Sequence, residues 1–204
     1  MTTATPAAPA ALVAPQYPTL ASIALDRFGL SRYRALNTPL LVALGSLFIA
    51  ASAQVAVPMW PVPATMQTFA VLLVGAMLGA RLGFMAAALY LLEGAMGLPV
   101  FAHLTGGAHK LVGPTGGYLI AFPIAAALVG YLAQIGMTRT LARAACSMFA
   151  GTLVILALGA LWLSLFFPQH DAFIAGFAIF LPGGVLKTLL AASILPVAWK
   201  ALGR

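Results

Sequence analysis

The chain has 204 residues, of which 63% are hydrophobic and 6% charged, and its formal net charge is +7. A soluble domain carries about 25% charged residues, so this composition cannot cover a water-exposed surface and excludes a water-soluble globular domain. It fits an all-α integral membrane protein, in which helices satisfy their own backbone polar groups within lipid.

Residues Met1 to Pro18, "MTTATPAAPAALVAPQYP", are Ala/Pro/Thr-rich, with no basic start and no clean cleavage site. They read as a disordered cytoplasmic tail rather than a signal peptide. In "TLASIALDRFGLSRYRALN", residues 19 to 37, apolar positions alternate with Arg27, Arg32 and Arg34. That pattern predicts a short helix at the membrane interface, its arginines toward headgroups; a plain linker is the competing reading. Residues 1–37 are thus set apart from a transmembrane domain at 38–204.

A transmembrane helix needs about 20 mostly apolar residues. The first span is expected from about Pro39 to Val57. Three prolines in "PMWPVPAT", residues 58 to 65, then force a non-helical loop. A short second helix follows at Met66–Ala80, a tight connection at Arg81, and a third span at Leu82–Gly97. The long loop Leu98–Gly117 leads to a fourth span, Tyr118–Ile135. The fifth is Ala144–Phe167, and "PQHD" turns the chain into a sixth apolar segment, Ala172–Trp199. Cys146 opens an apolar run; as the sole cysteine it forms no intrachain disulfide, and it reads as a small packing residue.

Six spans place both termini on one side, together with Arg27, Arg32, Arg34, Arg81, Arg139, Arg143, Lys200 and Arg204, eight of the ten basic residues. Cytoplasmic loops are enriched in Lys and Arg, so both termini are read as cytoplasmic. Topology accounts for the positive charge, and nothing is left over for a nucleic-acid surface. Lys110, Asp171, His103, His109 and His170 fall on the other side. Glu93 and Lys187 lie within spans, where an ionisable group costs at least about 2.5 kcal/mol and marks a candidate functional site.

The sixth segment is longer than a plain span and contains Pro182-Gly183-Gly184. Proline is tolerated in the first turn of a helix and not in its middle. Phe173–Leu181 is therefore read as a separate piece, with a new helix starting near Pro182 or Gly183 and Lys187 in its first turn or just after. Free N–H groups at a helix start beside an ammonium make an anion site of the kind formed by broken helices in transporters. The bland alternatives are that Lys187 snorkels or pairs with Glu93.

The loops at "PVPATMQT" and "GLPVFAHLTGGAHKLVGPTGGY" are further candidates, since irregular backbone at membrane depth is tolerated where it lines a cavity. "GPTGG" lacks the lysine and Ser/Thr of a phosphate loop, so any ATP must be hydrolysed elsewhere. His103 and His109 are weak metal-ligand evidence, and no metal or cofactor is expected. Ala43, Ser46, Ala50 and Ala53 share one face of the first helix, a surface for close approach by this chain's own helices or by a partner.

"PVPATMQTFAVLLVGAMLGARLG", "LYLLEGAMGLPVFA", "GPTGGYLIAF" and "LPGGVLKTLLAA" occur in that order. In these motifs, over about Pro39 to Trp199, the chain resembles the BioY family, the biotin-specific substrate-binding (S) components of energy-coupling factor (ECF) vitamin transporters. The resemblance implies a bacterial, multi-pass S component of the cytoplasmic membrane that captures biotin from outside. Its partners would be a transmembrane coupling protein and a pair of cytoplasmic ATPases; self-association is left open. Lys187 would meet the valerate carboxylate, and Gln67, Tyr90, His103, Thr115 and Tyr118 fall in matching motifs. Ser46-x-x-x-Ala50 stands in for the Ala-x-x-x-Ala surface on which S components dock the coupling protein. Gly184 stands where the family's Asp is expected, which leaves Glu93 as a candidate acceptor for the ureido ring. The competing readings are an S component for another small carboxylated vitamin, a self-sufficient carrier or channel, and an intramembrane enzyme. Thiamine is cationic and riboflavin lacks a carboxylate, so neither suits Lys187. An intramembrane serine protease needs Ser and His facing each other at depth, and the histidines fall in loops.

Overall fold

The computed structural model describes residues 18–167 and 173–202. The tail at 1–17, the whole PQHD turn with His170 and Asp171, and Arg204 lie outside the described residues.

Helix α1 (Leu20–Arg27) is capped by the Thr19 side chain, which accepts from the Ser22 N–H. Gly29, at φ 68°, ends it in a left-handed conformation, and a 3₁₀ turn (Ser31–Tyr33) leads into α2 (Arg34–Ala53). The boundary expected between 37 and 38 therefore falls inside α2. The break comes earlier, at glycine, and the Asn37 amide ties the first turn of α2 back to the Leu30 carbonyl at 2.6 Å. The proline-rich loop is closed by a two-stranded antiparallel hairpin, β1 (Ala56–Val57) with β2 (Ala64–Thr65). Sequence reading missed these strands; all three prolines lie between them, so no strand residue lacks a donor.

Helices α3 (Gln67–Leu78) and α4 (Ala80–Ala95) are joined by Gly79 alone, at φ 86° and ψ 174°. This backbone is open to glycine and costly for other residues. The connection expected at Arg81 is thus two residues earlier. A 3₁₀ turn (Ala102–Leu104) and α5 (His109–Val112) occupy the long loop, followed by α6 (Gly116–Gln134), α7 (Leu141–Leu163) and α8 (Leu181–Ala201).

Before α8 runs a π turn, Ile174–Ala178, closed by the Ile179 N–H on the Ile174 carbonyl at 3.1 Å. Pro182 then sits in the first turn of α8, as its missing N–H requires. The expected break is present, but its form differs. Ile179 and Phe180 keep right-handed helical backbone, and the Gly184 N–H bonds the Phe180 carbonyl at 2.8 Å. That N–H is not open to a ligand, and Lys187 stands in the second turn of α8.

Among the described residues, four helical segments are long and apolar enough to cross a membrane: Leu36–Ala53, Gly116–Gln134, Leu141–Leu163 and Ile174–Ala201. With 12 and 16 residues, α3 and α4 span only about 18 and 24 Å at 1.5 Å per residue, against a hydrocarbon core of about 30 Å. Helix α6 packs against α3, α4 and α7; α8 lies on α7 and α3, and α2 on α4 and α3. The close crossing of α3 on α6 rests on Gly75, where an added Cβ would stand 2.4 Å from the Ala126 carbonyl oxygen. Because the obstacle is backbone, the helices themselves must move. Gly75→Val is expected to lower stability by about 1–3 kcal/mol or more, read as a fall in the thermal midpoint of the purified chain in detergent.

Candidate substrate-binding site

At the end of the bundle where α2, α4 and α7 finish and α3, α6 and α8 begin, the fold encloses a cavity of about 590 Å³. Small-molecule sites typically measure about 300–1,000 Å³. Its walls come from the hairpin loop (58–65), the segments 101–105 and 109–115, and single turns of α6, α7 and α8.

Lys187, half-buried on α8, lines this cavity. Its Nζ donates to the Thr65 carbonyl at 2.6 Å. The Thr65 hydroxyl donates to Gln67 Oε1 at 2.7 Å. The Gln67 amide donates to the Tyr90 hydroxyl, which donates to the Val100 carbonyl at 3.2 Å. One chain of hydrogen bonds therefore links α8, the hairpin, α3, α4 and the loop after α4. Each buried polar group in it is satisfied, as a low-dielectric interior demands.

That loop carries His103 into the cavity wall. His103 and Leu104 have φ of 59° and 54°, a left-handed backbone that non-glycine residues adopt only when held. The holding group is Gln54 at the end of α2: its Oε1 accepts from the Leu104 N–H at 2.9 Å, and its Nε2 donates to the Phe101 and Ala50 carbonyls at 3.2 and 3.1 Å. Sequence reading missed Gln54, because its partners lie about fifty positions away. Thr115 lines the cavity and donates to the Lys110 carbonyl at 3.3 Å. Tyr118 also lines it, and its hydroxyl donates to the Gly176 carbonyl in the π turn at 2.6 Å.

Gly184 lines the cavity, and a Cβ there would meet Thr152 Cγ2 at 3.0 Å. Thr152 of α7 also lines the cavity and shares a 2.9 Å hydrogen bond with Thr188 of α8. Thr152 is the polar residue that meets the place of the expected acid, through its methyl, and Thr188 is its hydrogen-bond partner. Their sequence signal was a lone Thr in each of two apolar runs.

Of the expected site residues, the structure gathers Lys187, Gln67, His103, Thr115, Tyr118 and Gly184 around one cavity, and leaves two outside its lining. Tyr90 is fully buried behind the wall, acting through Gln67. Glu93 is turned toward α2, where the Ser46 hydroxyl donates to its Oε2 at 2.5 Å. In this structure the carboxylate faces another helix and lies outside the cavity lining. It also bears on the small face of α2. Ser46, Ala50 and Ala53 are buried, at 0%, 8% and 0% exposure, in packing within the chain, and Ala43 alone of the four stands exposed.

The cavity wall carries two lysines, Lys110 and Lys187, and two histidines, His103 and His109; among the described residues no Asp or Glu lines it. Among the described residues no group of three or more His, Cys, Asp or Glu side chains gathers to hold a metal. The electrostatics favour an anion, or a neutral ligand rich in acceptors.

The BioY family model matches residues 26–204. The chain belongs to the BioY family. A probable biotin transporter BioY of Pyrococcus horikoshii is 41% identical over 156 residues, covering 75% of this chain and 92% of that protein. A biotin transporter BioY of Thermotoga maritima is 43% identical over 149 residues, covering 72% and 86%. Among solved structures, the S component for biotin from an ECF-type ABC transporter superposes with a TM-score of 0.75 at 26% identity, covering 83% of this chain and 94% of that one. The BioY match runs from the end of α1 through α8, so the cavity lies wholly within the matched region.

Gln67 is the junction of the hydrogen-bond chain. Gln67→Ala leaves the buried Tyr90 hydroxyl without its donor and is expected to cost about 1–3 kcal/mol, seen as a lower thermal midpoint. Gln67→Glu, which keeps the acceptor and loses the donor, should fall between the two.

Proposed function

We propose that this chain captures biotin at the outer face of a bacterial cytoplasmic membrane, as the S component of an ECF-type transporter. The observation that carries this reading is the cavity itself: an acid-free wall with Lys187 on it, in a fold that matches the S component for biotin. Biotin offers a carboxylate, a ureido carbonyl and an apolar ring system, and the cavity offers two ammonium groups among apolar and hydroxyl side chains. Lys187 has three N–H donors, one of them on Thr65, so donors remain for a ligand carboxylate. Beside Gly184, where the acid is missing, stands the Thr152 methyl, which leaves that part of the wall to the apolar ring system.

The six-span topology proposed here uses α2, α3, α4, α6, α7 and α8, with the short α3 and α4 sheltered by α2 and α6. Its orientation draws on which groups meet at the end opposite the cavity. The Ala80 N–H bonds Gln134 Oε1 at 3.2 Å, and the Arg27 guanidinium bonds the Ala201 carbonyl at 2.8 Å. Arg139 lies over the Trp199 ring at 5.4 Å. This end also carries Arg81, Arg143 and Lys200, the charge expected of a cytoplasmic side. The cavity then opens outward. The chain carries no nucleotide-binding motif, so the driving energy comes from ATPases that act through a transmembrane coupling protein; the chain itself binds and does not catalyse.

Equilibrium binding of a labelled-vitamin panel to the purified chain tests the reading. Nanomolar biotin binding that other vitamins do not compete away is expected, and absence of biotin binding would sink it. Loss of one charge-assisted hydrogen bond costs about 1.5–3 kcal/mol, roughly 10- to 100-fold. Lys187→Ala should weaken biotin by that factor and shrink its advantage over biotin amide. If the mutant and the unsubstituted chain prefer the free acid equally, Lys187 does not hold the carboxylate.

A further inference from the structure

Lys110 is the cavity lysine that neither the helix-break pattern nor the family resemblance singles out. It lines the cavity from α5, as Lys187 does from α8. Its neighbours Ala108, His109 and Val112 are exposed, and Lys110 itself is half-buried, which sets it at the rim. Among the described residues its ammonium has no hydrogen-bond or ion-pair partner, whereas the Lys187 ammonium is bonded to Thr65.

Its backbone is fixed. The Lys110 N–H bonds the Gly107 carbonyl at 3.1 Å, and the Lys110 carbonyl accepts from Thr115 at 3.3 Å. Trp162 of α7 donates to the Gly113 carbonyl at 3.0 Å. The main chain at Lys110 is therefore held in place beside the cavity, and the freedom left is in its side chain. A cleft with low-dielectric walls and charges of one sign focuses the field and raises the on-rate of an oppositely charged ligand.

We infer that Lys110 is the capture cation of the site: it draws the carboxylate of an anionic ligand to the rim and governs the rate of entry, while Lys187 governs retention. This rests on the reading of the cavity as a site for a carboxylated ligand. The two lysines then divide the work by position. An unpartnered ammonium on a short loop helix acts over distance and holds weakly; one already anchored to the Thr65 carbonyl on a long helix holds.

The test is stopped-flow binding of biotin and of neutral biotin amide to the purified chain in detergent, at 0.05 M and 1 M salt. At low salt, Lys110→Gln should slow biotin association about tenfold, with the dissociation rate within about twofold of the unsubstituted chain; Lys110→Arg should keep the rate. The difference should close at 1 M salt, where the Debye length falls to about 3 Å, and should be absent for biotin amide. An unchanged association rate overturns the inference, as does an equal slowing for the amide or an effect confined to dissociation. If the unsubstituted chain binds no biotin, the transport reading falls first and this one with it. Biotin binding with an indifferent Lys110 removes this inference alone.

Discussion

The Lys187 ammonium donates to the Thr65 carbonyl at 2.6 Å, and much of the site follows from the need for that bond. An ammonium within an apolar bundle requires an acceptor, and the acid within another span, Glu93 of α4, is bonded by Ser46. The acceptor is instead a main-chain oxygen, and a main-chain oxygen can be offered sideways only by backbone that is not helical. The proline-rich hairpin supplies it. Thr65 is in turn steadied by Gln67, and Gln67 by Tyr90, so a requirement of one charged group propagates across four elements to the loop that carries His103.

The same constraint explains why irregular backbone collects at one end of the bundle. Loop and hairpin backbone at membrane depth must be buried in protein or line a cavity; here it does both. The opposite end is built otherwise, with a one-residue connection at Gly79 and arginines at the helix ends. The resulting asymmetry pairs a cavity with an acid-free wall at one end with a basic surface at the other, an arrangement suited to taking an acid from one side and meeting other proteins on the other.

Much of this was legible in the sequence because the signals were chemical rather than geometric. Pro182 and the paired glycines marked the start of α8 to within two residues, and a lysine in an apolar run marked the site. Three prolines marked irregular backbone, though not the short strands that brace it, because strand pairing depends on residues on both sides of the turn. Helix boundaries moved where glycine, at Gly29 and Gly79, outweighed apolar continuity. The Ser46–Glu93 bond and the packing of the small face of α2 were out of reach for one reason: the sequence says that a residue lies within a span but not which neighbour its face meets. Gln54 was out of reach for the same reason, its role being defined by a loop fifty positions on.

The central claim is that the cavity beside Lys187 is where biotin is held. An experimentally determined structure of the chain with biotin bound tests it most directly. The claim predicts biotin within the cavity, with an acceptor oxygen within hydrogen-bonding distance of the Lys187 ammonium. Biotin bound elsewhere on the chain, or inside the cavity without contact to Lys187, would contradict it.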